Sequence, residues 1–301
     1  MDIKMQNIRN EILKIIKQNG DFNGILETKI PNLVFYMHDE KTEFSTNIYE
    51  PSLCIIMQGE KSVGFGNEIY KYDENGFLLS CANVLADIKL SRASKQMPFI
   101  SLVIKFDLDD IQDVIDEISD FNYDLNDTFE KGLFFGNMNI ELYEAIFRFL
   151  QLLDKKDKHI EYISKLVMKE ILYILVLNSD SGAFLSKFAI NGTMSNKISK
   201  AISEIRTNFA EKINIKTLSR AIDMSESSFY KSFKAVTSFS PIQYQKKIRL
   251  EEARKILAKQ KIKITDVAMK VGYDSQSQFN REYFRMFGVT PKAHAVAFLQ
   301  R

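Results

Sequence analysis

The sequence predicts an α+β chain of two domains. An antiparallel β-barrel or sandwich with flanking helices comes first, and an all-α domain follows in which two helix-turn-helix motifs share a connecting helix. Three observations predict this. Residues 21–105 keep a strand rhythm, with short apolar runs parted by Gly, Asn and Asp turns. Residues 213–291 repeat one short pattern twice: an apolar-periodic helix, a tight turn, a capping serine and a second helix. Charge divides the same way: from Asn196 to Arg301, 21 Lys and Arg stand against 9 Asp and Glu, net +12, while the first 195 residues hold 20 against 30, net −10. A basic C-terminal third beside an acidic remainder is the electrostatic footprint of nucleic-acid binding.

Taken in order, residues 5–18 read as an amphipathic helix with Ile8, Ile12, Ile15 and Ile16 on one stripe, ended by Asn19-Gly20. Strands are predicted over 32–38, 52–59, 61–65, 67–72, 76–81, 85–91 and 99–106. On 52–59, Cys54, Ile56 and Gln58 share one face and Leu53, Ile55 and Met57 the other, and either could point inward. Beyond Asp107 the period turns helical over 108–119, 139–154 and 156–178. The last two helices are long, apolar-striped and antiparallel by their short join. They either cover the barrel or meet a second copy. Residues 179–196, with Asp180-Ser181-Gly182 and Asn191-Gly192-Thr193, read as a linker, so the domains are expected at 1–180 and 196–301 with 181–195 between them. A helix over 197–211 then opens the second domain.

In the first helix-turn-helix unit, Leu218 and Ile222 sit four apart on one face, Asp223-Met224 turns, Ser225 caps, and Phe229, Phe233 and Val236 make the next stripe. In the second, Ile264, Val267, Ala268 and Val271 form the stripe, Gly272-Tyr273-Asp274 turns, Ser275 caps, and Phe279 and Tyr283 follow at spacings of four. The second helix of such a motif enters the DNA major groove. Its outward face here carries Ser227, Ser228, Tyr230, Lys231 and Lys234 in the first unit, and Gln276, Ser277, Asn280, Arg281 and Arg285 in the second. Gln and Asn can pair bidentately with adenine, and Arg with guanine. One such match alone reads equally well as a solvated amphipathic helix. Two in tandem with matching caps do not.

These residues resemble the DNA-binding domain of the AraC/XylS family of bacterial transcription regulators. The likeness is carried by Val267-Ala268, Val271-Gly272-Tyr273, Ser275-Gln276-Ser277, Phe279, Arg281 and Phe287-Gly288-Val289-Thr290-Pro291, and in the linker helix by Ser240-Pro241, Tyr244, Arg249-Leu250, Ala253 and Leu257. Five positions depart from the family: Ser219 stands where a small Ala is usual, Asp223 and Ser238 where Gly is frequent, and His294-Ala295 where Tyr-Arg is usual. The resemblance implies two recognition helices in successive major grooves, with base-reading roles on Ser227, Tyr230, Lys231, Gln276, Ser277, Asn280 and Arg281. Lys234, Lys246, Lys247 and Arg285 are expected on phosphates, which position a protein without specifying sequence.

The N-terminal part resembles the family's cupin-like sensor barrel through Ile30-Pro31, Leu33, Tyr49-Glu50-Pro51-Ser52-Leu53-Cys54, Gln58-Gly59-Glu60-Lys61 and Tyr72-Asp73 with Phe77-Leu78-Leu79-Ser80. The resemblance implies a small-molecule effector in the barrel, a homodimer, double-stranded promoter DNA as the target and RNA polymerase as a further partner. Activation is the expectation, although the residues leave activation and repression equally open. Phe35, Tyr49, Cys54, Ile56 and Cys81 are the candidate pocket residues, although each reads more readily as ordinary barrel core. Three histidines, His38, His159 and His294, with one in the barrel, cannot make the usual cupin metal site, so no cofactor is expected and the barrel is taken as empty or holding an organic ligand. His38, beside Asp39 and Glu40, reads as a solvated strand end. Cys54 and Cys81 read as small buried hydrophobes, or as redox or electrophile sensors if a neighbouring cation lowers their pKa.

Composition excludes several classes. An apolar content of 45% excludes global disorder, and two cysteines exclude a disulfide framework. No apolar run reaches membrane-spanning length and the N-terminus lacks a signal-peptide core, so a cytoplasmic protein is expected. No nucleophile elbow, metal-ligand set or phosphate-binding Gly loop supports an enzyme. Polar Gln, Asn and Arg faces argue against a sequence-indifferent DNA coat, which needs only cations.

Overall fold

The computed structural model describes residues 3–20, 22–118, 131–155, 159–259 and 262–299. The chain divides into two compact units, Met1–Ser199 and Lys200–Arg301. In the first, a six-stranded sheet runs in the order β1 (Gly24–Glu27), β2 (Leu33–His38), β9 (Phe99–Lys105), β4 (Ser52–Gln58), β7 (Gly76–Ser80) and β10 (Leu133–Asn137). A four-stranded sheet runs β3 (Ser45–Tyr49), β8 (Val84–Arg92), β5 (Glu60–Phe65) and β6 (Glu68–Tyr72). Every pairing among the described strands is antiparallel. The seven predicted strands fall within a residue of their expected ends, and β1, β3 and β10 are additional.

β4 lies between β9 and β7, so both its edges are hydrogen-bonded and nearly every residue of its apolar run is buried. Its two faces part company: Ser52 and Cys54 look toward the space between the sheets, and Leu53, Ile55 and Met57 look the other way. Helix α1 (Ile3–Gln18) packs on β4 and on α3 (Ile140–Gln151), burying the predicted Ile12, Ile15 and Ile16. α2 (Leu108–Glu117) and α4 (Ile160–Leu177) complete this layer with α5 (Ser179–Ala189). Residue 119 of one predicted helix and residues 156–158 of another lie outside the described residues.

The expected linker is corrected by α5. Residues 179–189 are helical, with most of those from Ser181 onward buried, rather than an open connection. The Asn178 side chain accepts from the backbone N–H groups of Asp180 and Ser181, at 3.2 Å each, so the polar cluster is an N-cap and not a loop. The Ser181 hydroxyl donates to the Leu175 carbonyl at 2.6 Å and the Ser186 hydroxyl to Gly182 at 2.7 Å, which lets both serines sit in a core beside Phe184, Leu185 and Phe188. α6 (Met194–Thr207) begins three residues before the predicted start.

The second unit holds α7 (Ile215–Ala221), α8 (Glu226–Thr237), α9 (Pro241–Lys259), α10 (Ile264–Lys270), α11 (Gln276–Phe287) and α12 (Pro291–Leu299). Pro241 sits in the first turn of α9, and Ser240 and Gln243 form a reciprocal capping box before it. α9 packs against α8 and against α10, α11 and α12. Tyr244 meets Phe233 edge-on at 5.5 Å on the first side. Leu250, Ala253 and Leu257 join Val267, Ala268, Val271, Tyr273, Phe279 and Tyr283 in one buried cluster on the second.

The family departures each find a local account. Asp223 and Ser238 both have positive φ, 53° and 66°, the conformation that glycine adopts most readily. Ser219 is buried and its hydroxyl donates to the Lys216 carbonyl at 3.3 Å. His294 Nδ1 lies 3.0 Å from the Tyr283 hydroxyl with its ring edge-on to Phe287, so it packs half-buried against these rings.

Candidate functional site

Ser225 accepts from the Ser228 N–H at 3.2 Å and Ser275 from the Gln278 N–H at 3.4 Å, so both predicted caps start their helices. Phe229 and Phe233 anchor α8 inward, and Phe279 and Tyr283 anchor α11. That orientation leaves Ser227, Tyr230, Lys231 and Lys234 exposed on α8, and Gln276, Ser277, Arg281 and Arg285 exposed on α11. Short donors and cations are therefore presented together on each second helix.

Several of these groups are already engaged. The Gln276 amide oxygen accepts from the Thr265 hydroxyl at 2.7 Å, which ties α11 to α10. Asn280 is half-buried, and its amide oxygen is buried without a hydrogen-bond partner. Lys246, expected on a phosphate, donates to Glu282 at 3.0 Å. Lys247 lies over the Phe239 ring at 4.9 Å. Glu282 also accepts from Tyr273 at 2.8 Å and from Gln278 at 3.2 Å. Burial alone would raise its pKa, but these donors hold the carboxyl below its ordinary value.

Arg249 carries a part that the sequence did not disclose. Its guanidinium donates to four backbone carbonyls: Phe209 at 2.7 Å, Ala210 at 3.0 Å, Glu211 at 2.9 Å and Gly272 at 2.7 Å. It thereby joins α9 to the segment before α7 and to the turn of the second motif. Its place one residue before Leu250, in the likeness to the linker helix, was the available signal.

The first unit holds a cavity of about 580 Å³ between its two sheets. Tyr36 and His38 of β2, Ser101 and Val103 of β9, Cys54 of β4 and Tyr49 of β3 are among its lining residues. Of the predicted pocket residues, Tyr49 and Cys54 line it. Phe35 does not, because it alternates with Tyr36 and faces away. Ile56 is fully buried beside the irregularity where β4 shifts register between Ile56 and Gln58, and it does not line the cavity. Cys81 lies past the end of β7, its carbonyl accepting from Ser199 at 3.3 Å, and is likewise outside. His38 is corrected in the other sense: it is half-buried on the cavity wall and burial lowers its pKa.

Burial pushes both cysteine thiols up, which makes neither a ready thiolate. Burial likewise pushes the Tyr49 and Tyr72 hydroxyls up. Two polar groups of the wall went unnoticed in the sequence. Glu50 pairs with Lys105 at 2.8 Å. Lys61 of β5 extends over the Tyr49 ring at 5.1 Å, and burial pushes its ammonium pKa down. Lys61 shares its strand face with Val63 and Phe65, both buried, and that period of two was the signal that could have found it. Among the described residues no helix is long and apolar enough to cross a membrane.

Known proteins agree with this architecture. The chain is 26% identical over 258 residues to the virulence regulon transcriptional activator VirF of Yersinia enterocolitica, covering 83% of this chain and 93% of that one. It is similar to the same extent to the thermoregulatory protein LcrF of Yersinia pestis, 26% over 258 residues with 83% and 93% covered. The solved structure of wild-type ToxT from Vibrio cholerae with an unsaturated fatty acid bound overlays 90% of this chain and 97% of its own with a TM-score of 0.57 at 12% identity, which shows a shared fold. A helix-turn-helix domain model matches residues 218–295. With the model of the AraC-type transcriptional regulator N-terminus matching residues 29–184, the chain belongs to the AraC-type DNA-binding transcription regulators.

Proposed function

We propose that this regulator activates transcription from promoters whose bases are read by α8 and α11, and that a small organic molecule in the first unit's cavity biases that reading. The observation that carries it is the pair of serine-capped helices, each anchored inward by two aromatic rings and exposed on a polar, cationic face. Ser227, Tyr230, Lys231, Gln276, Ser277, Asn280 and Arg281 are the base readers, with Lys234, Lys247 and Arg285 on phosphates. Lys246 joins them when it exchanges Glu282 for a phosphate.

Activation is supported by the likeness to VirF, described as an activator. A small-molecule effector is supported by the likeness to ToxT, whose structure holds an unsaturated fatty acid. The division of labour runs close to the boundary of the two units, which falls within α6: residues 1–180 sense and dimerise, and residues 196–301 bind DNA. Tyr162, Leu166, Tyr173 and Leu177 are exposed on one side of α4, at spacings of four, seven and four, which suits a second copy of the chain. RNA polymerase at the promoter is the further partner, and the cytoplasm is the setting.

The test is a footprint on the DNA upstream of the gene, with salt varied. Protection of about two helical turns per protomer that survives physiological salt is expected of a two-groove reader. Diffuse protection that vanishes with salt, with and without candidate effectors, would overturn sequence-specific reading. Sedimentation of the Leu166→Glu variant addresses the dimer: a monomeric variant from a dimeric parent is expected, and an unchanged dimer would move the interface off α4.

A further inference from the structure

The cavity of the first unit holds an uncompensated positive charge and an unused donor. Lys61 contributes its ammonium to the wall, where its described electrostatic neighbours are the Tyr49 ring, the Cys54 thiol and the His38 imidazole. Among the described residues no carboxylate lies within ion-pair distance of it. Glu50, the acid of the same wall, is committed to Lys105 at 2.8 Å, so those two charges cancel. The imidazole of His38 is disfavoured as a cation by burial and by Lys61 itself, although Asp39 pulls the other way. The Tyr49 residue is 7% exposed, and its hydroxyl is buried with no hydrogen-bond partner. A buried polar group left unpaired costs on the order of 1–3 kcal/mol, and a partly desolvated cation also seeks an anion. Both demands fall on one cavity.

We infer that the cavity takes a small organic monocarboxylate, whose carboxylate is held by the Lys61 ammonium and the Tyr49 hydroxyl and whose apolar body lies against Ile48, Ile88, Leu90 and Phe99. This inference rests on the effector reading above and names the class of effector. One net positive charge and one hydroxyl suit a single negative charge. A phosphoryl dianion is held in proteins by an Arg fork, several cations or a helix N-terminus, whereas the described lining has no arginine and its second lysine, Lys105, is paired with Glu50. The volume of about 580 Å³ falls within the range of about 300–1,000 Å³ common to sites for small organic ligands. β5 and β3 belong to the same sheet, each paired with β8, so the two anchoring groups are held by hydrogen-bonded strands.

The experiment is calorimetric titration of the full chain at neutral pH with octanoate, decanoate and 2-naphthoate. The controls are the matched neutral and cationic probes 1-octanol, 1-decanol and octylamine. At least one carboxylate is expected to bind at least tenfold more tightly than its neutral and cationic counterparts. Lys61→Met is expected to weaken that carboxylate tenfold or more while leaving the alcohol unchanged. Lys61→Arg should preserve the order of preference, and Tyr49→Phe should weaken the carboxylate about threefold. The thermal transition of each variant without ligand checks that it is folded. If the alcohol or amine binds as tightly as the acid, or if folded Lys61→Met binds the acid as the parent does, the carboxylate assignment falls and the effector reading stands. If no probe of any charge binds, both fall.

Discussion

Ser238 ends α8 and Gly288 ends α11, both left-handed with φ of 66° and 70°, yet one carries a side chain there and the other does not. The same contrast appears in the turns, where Asp223 has φ of 53° and Gly272 has φ of 86°. The two helix-turn-helix motifs are thus built on one backbone plan, with non-glycine residues accepted in the first and glycine kept in the second. Space explains part of it: a Cβ on Gly272 would stand 2.1 Å from the Ala210 carbonyl oxygen. The second turn is also gripped by Arg249 and by the Glu282 cluster with Tyr273 and Lys246. A motif held from several sides needs its glycine, whereas Asp223 is exposed and can bear a strained φ.

Gly272→Ala should cost about 3 kcal/mol or more, since it adds left-handed strain to a clash with backbone; denaturant unfolding of the full chain measures it. A cost no larger than that of an ordinary surface change would mean that the turn can move. Arg249→Ala should cost about 2–3 kcal/mol by taking the guanidinium from the Ala210 and Gly272 carbonyls and leaving those of Phe209 and Glu211 to the Gln245 amide alone, and Arg249→Lys should recover a minor part because an ammonium cannot span them. Full recovery by Lys would reduce Arg249 to a charge.

The contrast should reappear on DNA. Arg281→Ala is expected to lose about 1–3 kcal/mol on the cognate site and to relax preference at one base position, while Lys247→Ala should weaken all sequences alike. Equal losses for Arg281→Ala on cognate and random DNA would remove it from the base readers.

Acidity sharpens the second motif further. Glu251 of α9 is buried and pushed up to about 7 by burial, against the pull of Arg254, with Lys255 and Lys247 nearby and Tyr283 facing it. A carboxyl raised in the folded state binds protons more tightly than in the unfolded chain. Its stabilising effect is therefore present below its unfolded pKa and is lost as pH rises toward about 7. Glu251→Gln should flatten the pH dependence of the thermal transition between pH 5 and 8, with a difference of roughly 1–2 kcal/mol at the upper end. An unchanged slope would show that Arg254 keeps the carboxyl ionised. The smallest effect is expected from Ser238→Gly, a gain of about 0.5–1 kcal/mol from relieving the left-handed serine. A loss instead would mean that the side chain contributes more than its strain costs.

The second unit was largely legible because its signals are local. Caps at Ser225 and Ser275, aromatic spacings of four and the glycine turn act within a few residues, and each falls where the spacing put it. The first unit was legible in seven of its ten described strands and less so elsewhere. β1 has four residues, and β3 reads Ser-Thr-Asn-Ile-Tyr, polar enough to pass for a loop. α5 reads as a linker in the sequence because Asn, Asp, Ser and Gly write both turns and helix caps, and packing with Phe184 and Phe188 decides between them. Inward and outward faces of β4 could not be told from its own run, since both are buried and the cavity that distinguishes them is made by the other sheet. Lys61 was read past for a related reason: lysine in a strand suggests solvent until the opposite wall is known.

Arg249 has one more consequence. A single guanidinium clasps both the stretch leading into the first motif and the turn of the second. If α8 and α11 each occupy a groove, that clasp fixes the stride between them. Operators carrying an extra base pair between the two contacted segments would be rejected by the native chain and admitted more readily by Arg249→Ala, although no base-contacting side chain had changed. Spacing discrimination would then be a property of a residue that touches no DNA.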